Sequence, residues 1–167
     1  GFNGPRGLAF DSVANRLFVA DHGNARVLVF NTTTLTNNMS AQFVLAQPDF
    51  QGRDAGIGGL SEPQAIALDT SRTTLYVSDS YDNRIAVFDL MRLATGLVAS
   101  TALGQPRFSA VDAGRSSLTM NQPAALAVST TQLFAVDSNN GRVLVFEREI
   151  MPNRHITMIL VNEKLGF

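Results

Sequence analysis

An aspartate followed five residues later by an arginine occurs three times in this 167-residue chain, as Asp21/Arg26, Asp79/Arg84 and Asp137/Arg142, at a step of 58 residues (79 − 21 and 137 − 79). Such a pair can serve as an acid-base couple, or the carboxylate can accept backbone N–H groups of a turn while the arginine makes a directional, charge-assisted contact to it. A catalytic acid is needed once. Three copies in step therefore point to a structural pair at the base of each of three hairpins. Side chains that break the repeat are better candidates for binding. In the hairpin loops these are His22, Ser80 and Ser138, followed by Gly23, Tyr81 and Asn139; after three repeated prolines stand Arg6, Gln64 and Ala124. The connections between copies add Arg53, Asp54, Asp112 and Arg115. Together these would make a mixed-charge polar rim suited to a small polar ligand or a peptide.

Other chemistries find little support. With no cysteine and only two histidines, His22 in a loop and His155 in an outer strand, one chain offers neither thiolate ligands nor a three-histidine zinc centre. His22 and Glu62, just before Pro63, are the only weak metal-ligand candidates. No Gly-x-Ser-x-Gly elbow, phosphate loop or His-Glu-x-x-His occurs. Thirteen basic residues are offset by 14 acidic ones, and most phenylalanines fall in strand patterns, which argues against a nucleic-acid surface. No apolar run approaches the roughly 18 residues needed to span a bilayer, no secretory leader is visible, and no cofactor motif is present. The compartment is not readable from the chain.

These residues must be positioned by three copies of one strand pattern. The segments Leu17–Phe30, Leu75–Phe88 and Leu133–Phe146 are in register, and Gln47-Pro48-Asp49-Phe50 returns as Gln105-Pro106-Arg107-Phe108. Each copy reads as four short strands. The first is 7–10, 65–68 or 125–128, where small and large apolar residues alternate with the strand period. In copy one the others are 16–20, 26–30 and 42–46; Val, Ile, Leu, Phe and Tyr dominate them, as suits strands covered on both faces. Asn24, Asp82 and Asn140 fill the loops as turn formers that tolerate left-handed backbone. The fourth strand of copy three is expected over 155–161, and the only helical stretch over 90–97. The copies span about 4–50, 62–108 and 122–162, joined by linkers 51–61 and 109–121.

The pattern Pro-x-Gly/Ala-Leu/Ile-Ala, then Leu-Phe/Tyr-Val-x-Asp, then Asn-x-Arg-Val/Ile-x-Val-Phe resembles the NHL repeat. Gly104-Gln105-Pro106-Arg107-Phe108 is similar to the Gly-Gln-Pro-x-Phe element of its long-linker form. The resemblance implies an all-β fold of four-stranded antiparallel propeller blades, usually six to a ring. Three blades cannot close a ring. Two chains joined head to tail would, so the expected partner is a second copy forming a six-bladed homodimer. The expected function is a non-catalytic module that binds protein, peptide or a small polar ligand at the channel mouth. The alternative is a metal-assisted hydrolase or lyase similar to gluconolactonase-like propellers or to the lyases of α-hydroxyglycine peptides. A chain that starts at Gly1 and breaks between blades is also what excising or engineering a propeller fragment would leave.

Overall fold

The computed structural model describes residues 1–52 and 56–148, and the backbone of 158–161. Among the described residues, twelve strands form three four-stranded antiparallel sheets, each ordered as in the chain. Sheet one contains β1 (Pro5–Asp11), β2 (Arg16–Asp21), β3 (Arg26–Asn31) and β4 (Phe43–Leu45). Sheet two contains β5 (Pro63–Leu68), β6 (Thr74–Asp79), β7 (Arg84–Asp89) and β8 (Thr101–Leu103). Sheet three contains β9 (Pro123–Val128), β10 (Gln132–Asp137), β11 (Arg142–Arg148) and β12 (Met158–Val161). Of the expected strand over 155–161, Met158–Val161 is present as β12, and 155–157, with His155, lie outside the described residues.

Each first strand opens on its proline, two residues before the expected start. Proline has no N–H for a ladder, and the first residue of a strand is where that matters least. The register slips beside it in all three sheets: between Pro5 and Leu8, between Pro63 and Ile66, and between Val136 and Asp137 opposite Pro123. The expected helix over 90–97 is a single 3-10 turn, Leu90–Arg92, capped by Asp89 accepting the Met91 N–H. Gly96, with φ of 88°, stands within that span and disfavours a longer helix.

The three sheets pack face to face through their apolar residues. Phe18, Val27 and Val29 of sheet one meet Ile66, Val77 and Phe88 of sheet two, all buried. Tyr76, Ile85 and Val87 on the other face of sheet two meet Leu133, Leu144 and Phe146 of sheet three. Because strand residues alternate in direction, both faces of the middle sheet are covered, which is why its runs are continuously apolar. The first strands β1, β5 and β9 lie side by side. They approach closely at Gly7, where a Cβ would stand 2.7 Å from the Gln64 carbonyl oxygen. No helix among the described residues is long and apolar enough to cross a membrane.

Candidate functional site

The starts of the first strands, the tight β2–β3, β6–β7 and β10–β11 hairpins, and the linkers gather at one end of the sheets, because Pro5, Pro63 and Pro123 pair with Asp21, Asp79 and Asp137. Each aspartate is also directly opposite its arginine across the hairpin. Arg26, Arg84 and Arg142 donate through Nε to an Oδ2 at 2.8, 3.1 and 2.6 Å. The other carboxylate oxygen accepts N–H groups not of the hairpin but of the segment entering the same sheet: Asn3, Ser61 with Glu62, and Asn121. The guanidinium then reaches carbonyls of that segment, Gly1 at 3.2 Å, Gly59 at 2.8 Å and Thr119 at 2.8 Å. All three aspartates are fully buried. They hold the linker to the hairpin, and charge-assisted bonds satisfy them there.

Left-handed backbone falls one residue later than the loop aspartate and asparagines. It is found at Ala25, Asn83 and Gly141, with φ of 52°, 52° and 58°. Asn24 and Asn140 have another use: each donates Nδ2–H to the aspartate Oδ2 at 2.8 Å. Copy two has a carboxylate there instead. Asp82 Oδ2 lies 2.7 Å from Arg84 Nη2, which also holds Asp79, and accepts the Ser61 hydroxyl. Burial and then the Asp82 charge push the Asp79 carboxyl up to about 6, against the pull of Arg84 and the two N–H donors.

The Gln-Pro-x-Phe element completes the first two hairpins. Gln47 Nε2 donates to the Ala25 carbonyl and Gln105 Nε2 to that of Asn83. Arg26 and Arg84 donate to the Phe50 and Phe108 carbonyls, and Arg84 stacks 4.6 Å from the Phe108 ring. Ala46 and Gly104, at the head of the element, both have positive φ, 64° and 80°.

Of the rim candidates, the structure joins Arg6 and Gln64, whose Nη1 and Oε1 are 2.7 Å apart on the surface where β1 and β5 begin. Tyr81 is 67% exposed, and Glu62 is exposed in the segment entering the same sheet, with its carbonyl accepting the Ser80 N–H. Arg115 donates to the Asn140 carbonyl, and Asp112 contributes its backbone carbonyl to Gln105. His22 is half-buried, and its Nδ1 has no hydrogen-bond partner. Arg53 and Asp54 lie outside the described residues. Among the described residues no group of three His, Asp or Glu side chains is placed to hold a metal ion.

One buried cluster has no counterpart in the sequence reading. Arg148, at the end of β11, donates to Asp69 Oδ2 at 3.0 Å, to the Tyr76 hydroxyl at 3.2 Å and to the Ser129 carbonyl. Burial raises the Tyr76 hydroxyl pKa, with Arg148 opposing. The available signal was that Arg148 is absent from copies one and two, where Thr32 and Leu90 stand.

Residues 2–30 match the NHL repeat model. No curated protein matches the sequence. Solved structures do match in fold. A candidate 6-phosphogluconolactonase from Bacteroides fragilis superposes with a TM-score of 0.64 at 15% identity, covering 95% of this chain and 38% of that one. The periplasmic gluconolactonase PpgL of Pseudomonas aeruginosa gives 0.62 at 19% identity, covering 93% and 39%. A chain of a nidogen/laminin complex gives 0.57 at 13%, covering 95% and 51%. This chain thus spans between about two fifths and half of the length of the proteins it resembles. Residues 2–30 thus carry a match to the NHL repeat, and the two further copies in step behind them at 58-residue intervals resemble it.

Proposed function

We propose that this chain is an arc of a propeller ring whose hairpin-and-linker end binds a small polar ligand or a peptide without transforming it. The observation that carries this reading is the division of labour among polar groups at that end. The repeated carboxylates Asp21, Asp79 and Asp137 are buried and fully engaged in holding backbone. The groups that break the repeat, Arg6, Gln64 and Tyr81, lie at the surface or half-buried and can present hydrogen-bond donors, an acceptor and an aromatic face. Arg6 spends one Nη1–H on Gln64, and its remaining N–H edge suits a carboxylate or amide. A thermal-shift screen of small carboxylates, amides and peptides tests this. Hits should stabilise the chain, should lose their effect in Arg6→Ala and Tyr81→Ala, and should be recovered unchanged. Hits that stabilise those variants equally would place binding elsewhere.

A second reading is supported by the likeness to lactonase folds. Lactone hydrolysis would make Glu62, exposed at the start of β5, the carboxylate to test. Turnover of glucono-1,5-lactone that depends on an added divalent cation and falls in Glu62→Gln would favour the enzyme over the binding module.

A further inference from the structure

Both internal seams between sheets are built to one plan. The face that sheet one turns to sheet two carries Phe18, Val27 and Val29, each fully buried, and Leu60 from the entering segment is wedged behind them. At the next seam Tyr76, Ile85 and Val87 hold the same repeat positions, with Met120 as the wedge. On sheet three the third set is Phe134, Val143 and Val145, where Phe134 and Val143 stay partly exposed and neighbouring Val136 is 38% exposed. The mirror situation occurs on sheet one. Leu8 and Phe10 are 61% and 55% exposed on the face whose counterpart in sheet two is buried. Phe2, at the wedge position of Leu60 and Met120, is 49% exposed and leans on Phe30 with ring centroids 5.7 Å apart. An open cleft of about 840 Å³, floored by Leu17, Leu28 and Phe30, adjoins it.

We infer that a second copy of this chain covers both faces: sheet three of each copy packs on sheet one of the other, and the two identical seams close a six-bladed ring. The inference rests on the reading of the chain as a ring arc and names the arc's partner. Three observations fit a copy as the occupant. The two open faces are the two halves of one internal seam, so a copy brings the complement of each. Charge agrees as well. Each internal seam carries an aspartate on one sheet and an arginine on the next, Asp11 with Arg72 at 3.7 Å and Asp69 with Arg148 at 3.0 Å. At the closing seam Ser129 stands where the aspartate would be, and Ala14 and Thr32 stand at the two arginine positions. Both halves have lost their charge together, so closure buries no unpaired ion. Finally, Ser80 donates its hydroxyl to the Pro123 carbonyl across the second seam at 2.7 Å. Ser138 repeats Ser80, is exposed, and would meet Pro5 of the other copy. A two-fold arrangement satisfies both faces at once, whereas a head-to-tail contact that failed to close would give filaments.

The test is the mass of the full chain by light scattering at tens of micromolar, expected at about 36 kDa, twice 18.0 kDa. Leu8→Asp and Val136→Asp, both at surface positions, should each reduce the mass to that of one chain while leaving the far-ultraviolet spectrum intact. Mixed together they should associate again, because the mixed pair regains one undamaged seam. A wild-type chain of single mass, a dimer that both variants leave intact, or variants that fail to associate on mixing would each overturn the inference. Ligand stabilisation lost in Arg6→Ala is read separately, so a chain that is monomeric yet binds sinks the second copy and spares the binding reading.

Discussion

Replacing Asp82 by asparagine should stabilise the protein at neutral pH and leave it unchanged in mild acid. Copies one and three show what the replacement restores, an Nδ2–H donated to the buried aspartate at 2.8 Å in each. In copy two, two carboxylates share Arg84, and the Asp79 carboxyl is raised from 3.8 to about 6. A shift of about two units corresponds to roughly 3 kcal/mol of penalty on the ionised form. Burial is the larger cause and Asp82 the second, so removing Asp82 relieves only part of that penalty, on the order of 1 kcal/mol for a nearby like charge. The new hydrogen bond and the lost Asp82–Arg84 contact are of similar size and opposite sign, so a net gain of about 1 kcal/mol, or about 3 °C in melting temperature, is expected. The sign with pH follows from the direction of the shift. The folded state holds its proton to higher pH than the unfolded state, so this group's stabilising contribution is full below about 3.8 and is lost as pH rises through about 6. Calorimetric melting of wild type and Asp82→Asn at pH 4 and pH 7.5, at one protein concentration, checks it. A variant less stable at pH 7.5, or equally more stable at both values, would refute the assignment of Asp82 as the destabilising charge.

Arg148→Ala should cost about 3 kcal/mol, seen as a lower urea midpoint, because it leaves Asp69 buried without its cation at the second seam. Gly104→Ala should lower the melting temperature by several degrees. Its φ of 80° disfavours any Cβ, and that Cβ would stand 2.6 Å from Met120 Cγ. Met120→Ala, deleting a fully buried wedge, should cost about 3 kcal/mol in urea denaturation. The double variant Gly104→Ala with Met120→Ala should cost less than the sum, since the smaller side chain makes room for the new Cβ.

How much of this fold was readable in advance depended on repetition. Asp21, Asp79 and Asp137 stand at one 58-residue step, so the three hairpins and the strands around them could be set out from the sequence alone. What repetition could not reveal was direction. That the aspartates bond the segment entering the sheet requires knowing that the chain returns beside the hairpin after a bulge at Pro5 or Pro63, and a bulge leaves little trace in an apolar pattern. The left-handed positions were misplaced by one residue for a related reason. Asn24 and Asn140 are the kind of residue that tolerates that backbone, but their side chains are committed to the aspartate, and Ala25 and Gly141 take the left-handed position. Arg148 escaped because it occurs in one copy only, and a lone arginine at a strand end looks like a surface residue until Asp69 and Tyr76 are seen against it.

The same contrast separates architecture from function. Residues present in all three copies make bonds inside one blade and its entering segment, as the three Asp–Arg pairs do. Two residues present in one copy sit at a seam and at the rim: Arg148 locks sheet three to sheet two, and Arg6 reaches Gln64 from the next blade. A ring of identical blades would have no way to mark one seam or one sector of its mouth. Divergence at Arg148 makes the second seam unlike the first, and the neutral Ala14, Thr32 and Ser129 would make the proposed closing seam unlike both. An ion pair specifies which surfaces may meet, since a mismatched blade would bury an unpaired charge. The two internal seams are therefore coded against exchange, and in the proposed ring the two faces that lack such an ion pair are the ones that meet.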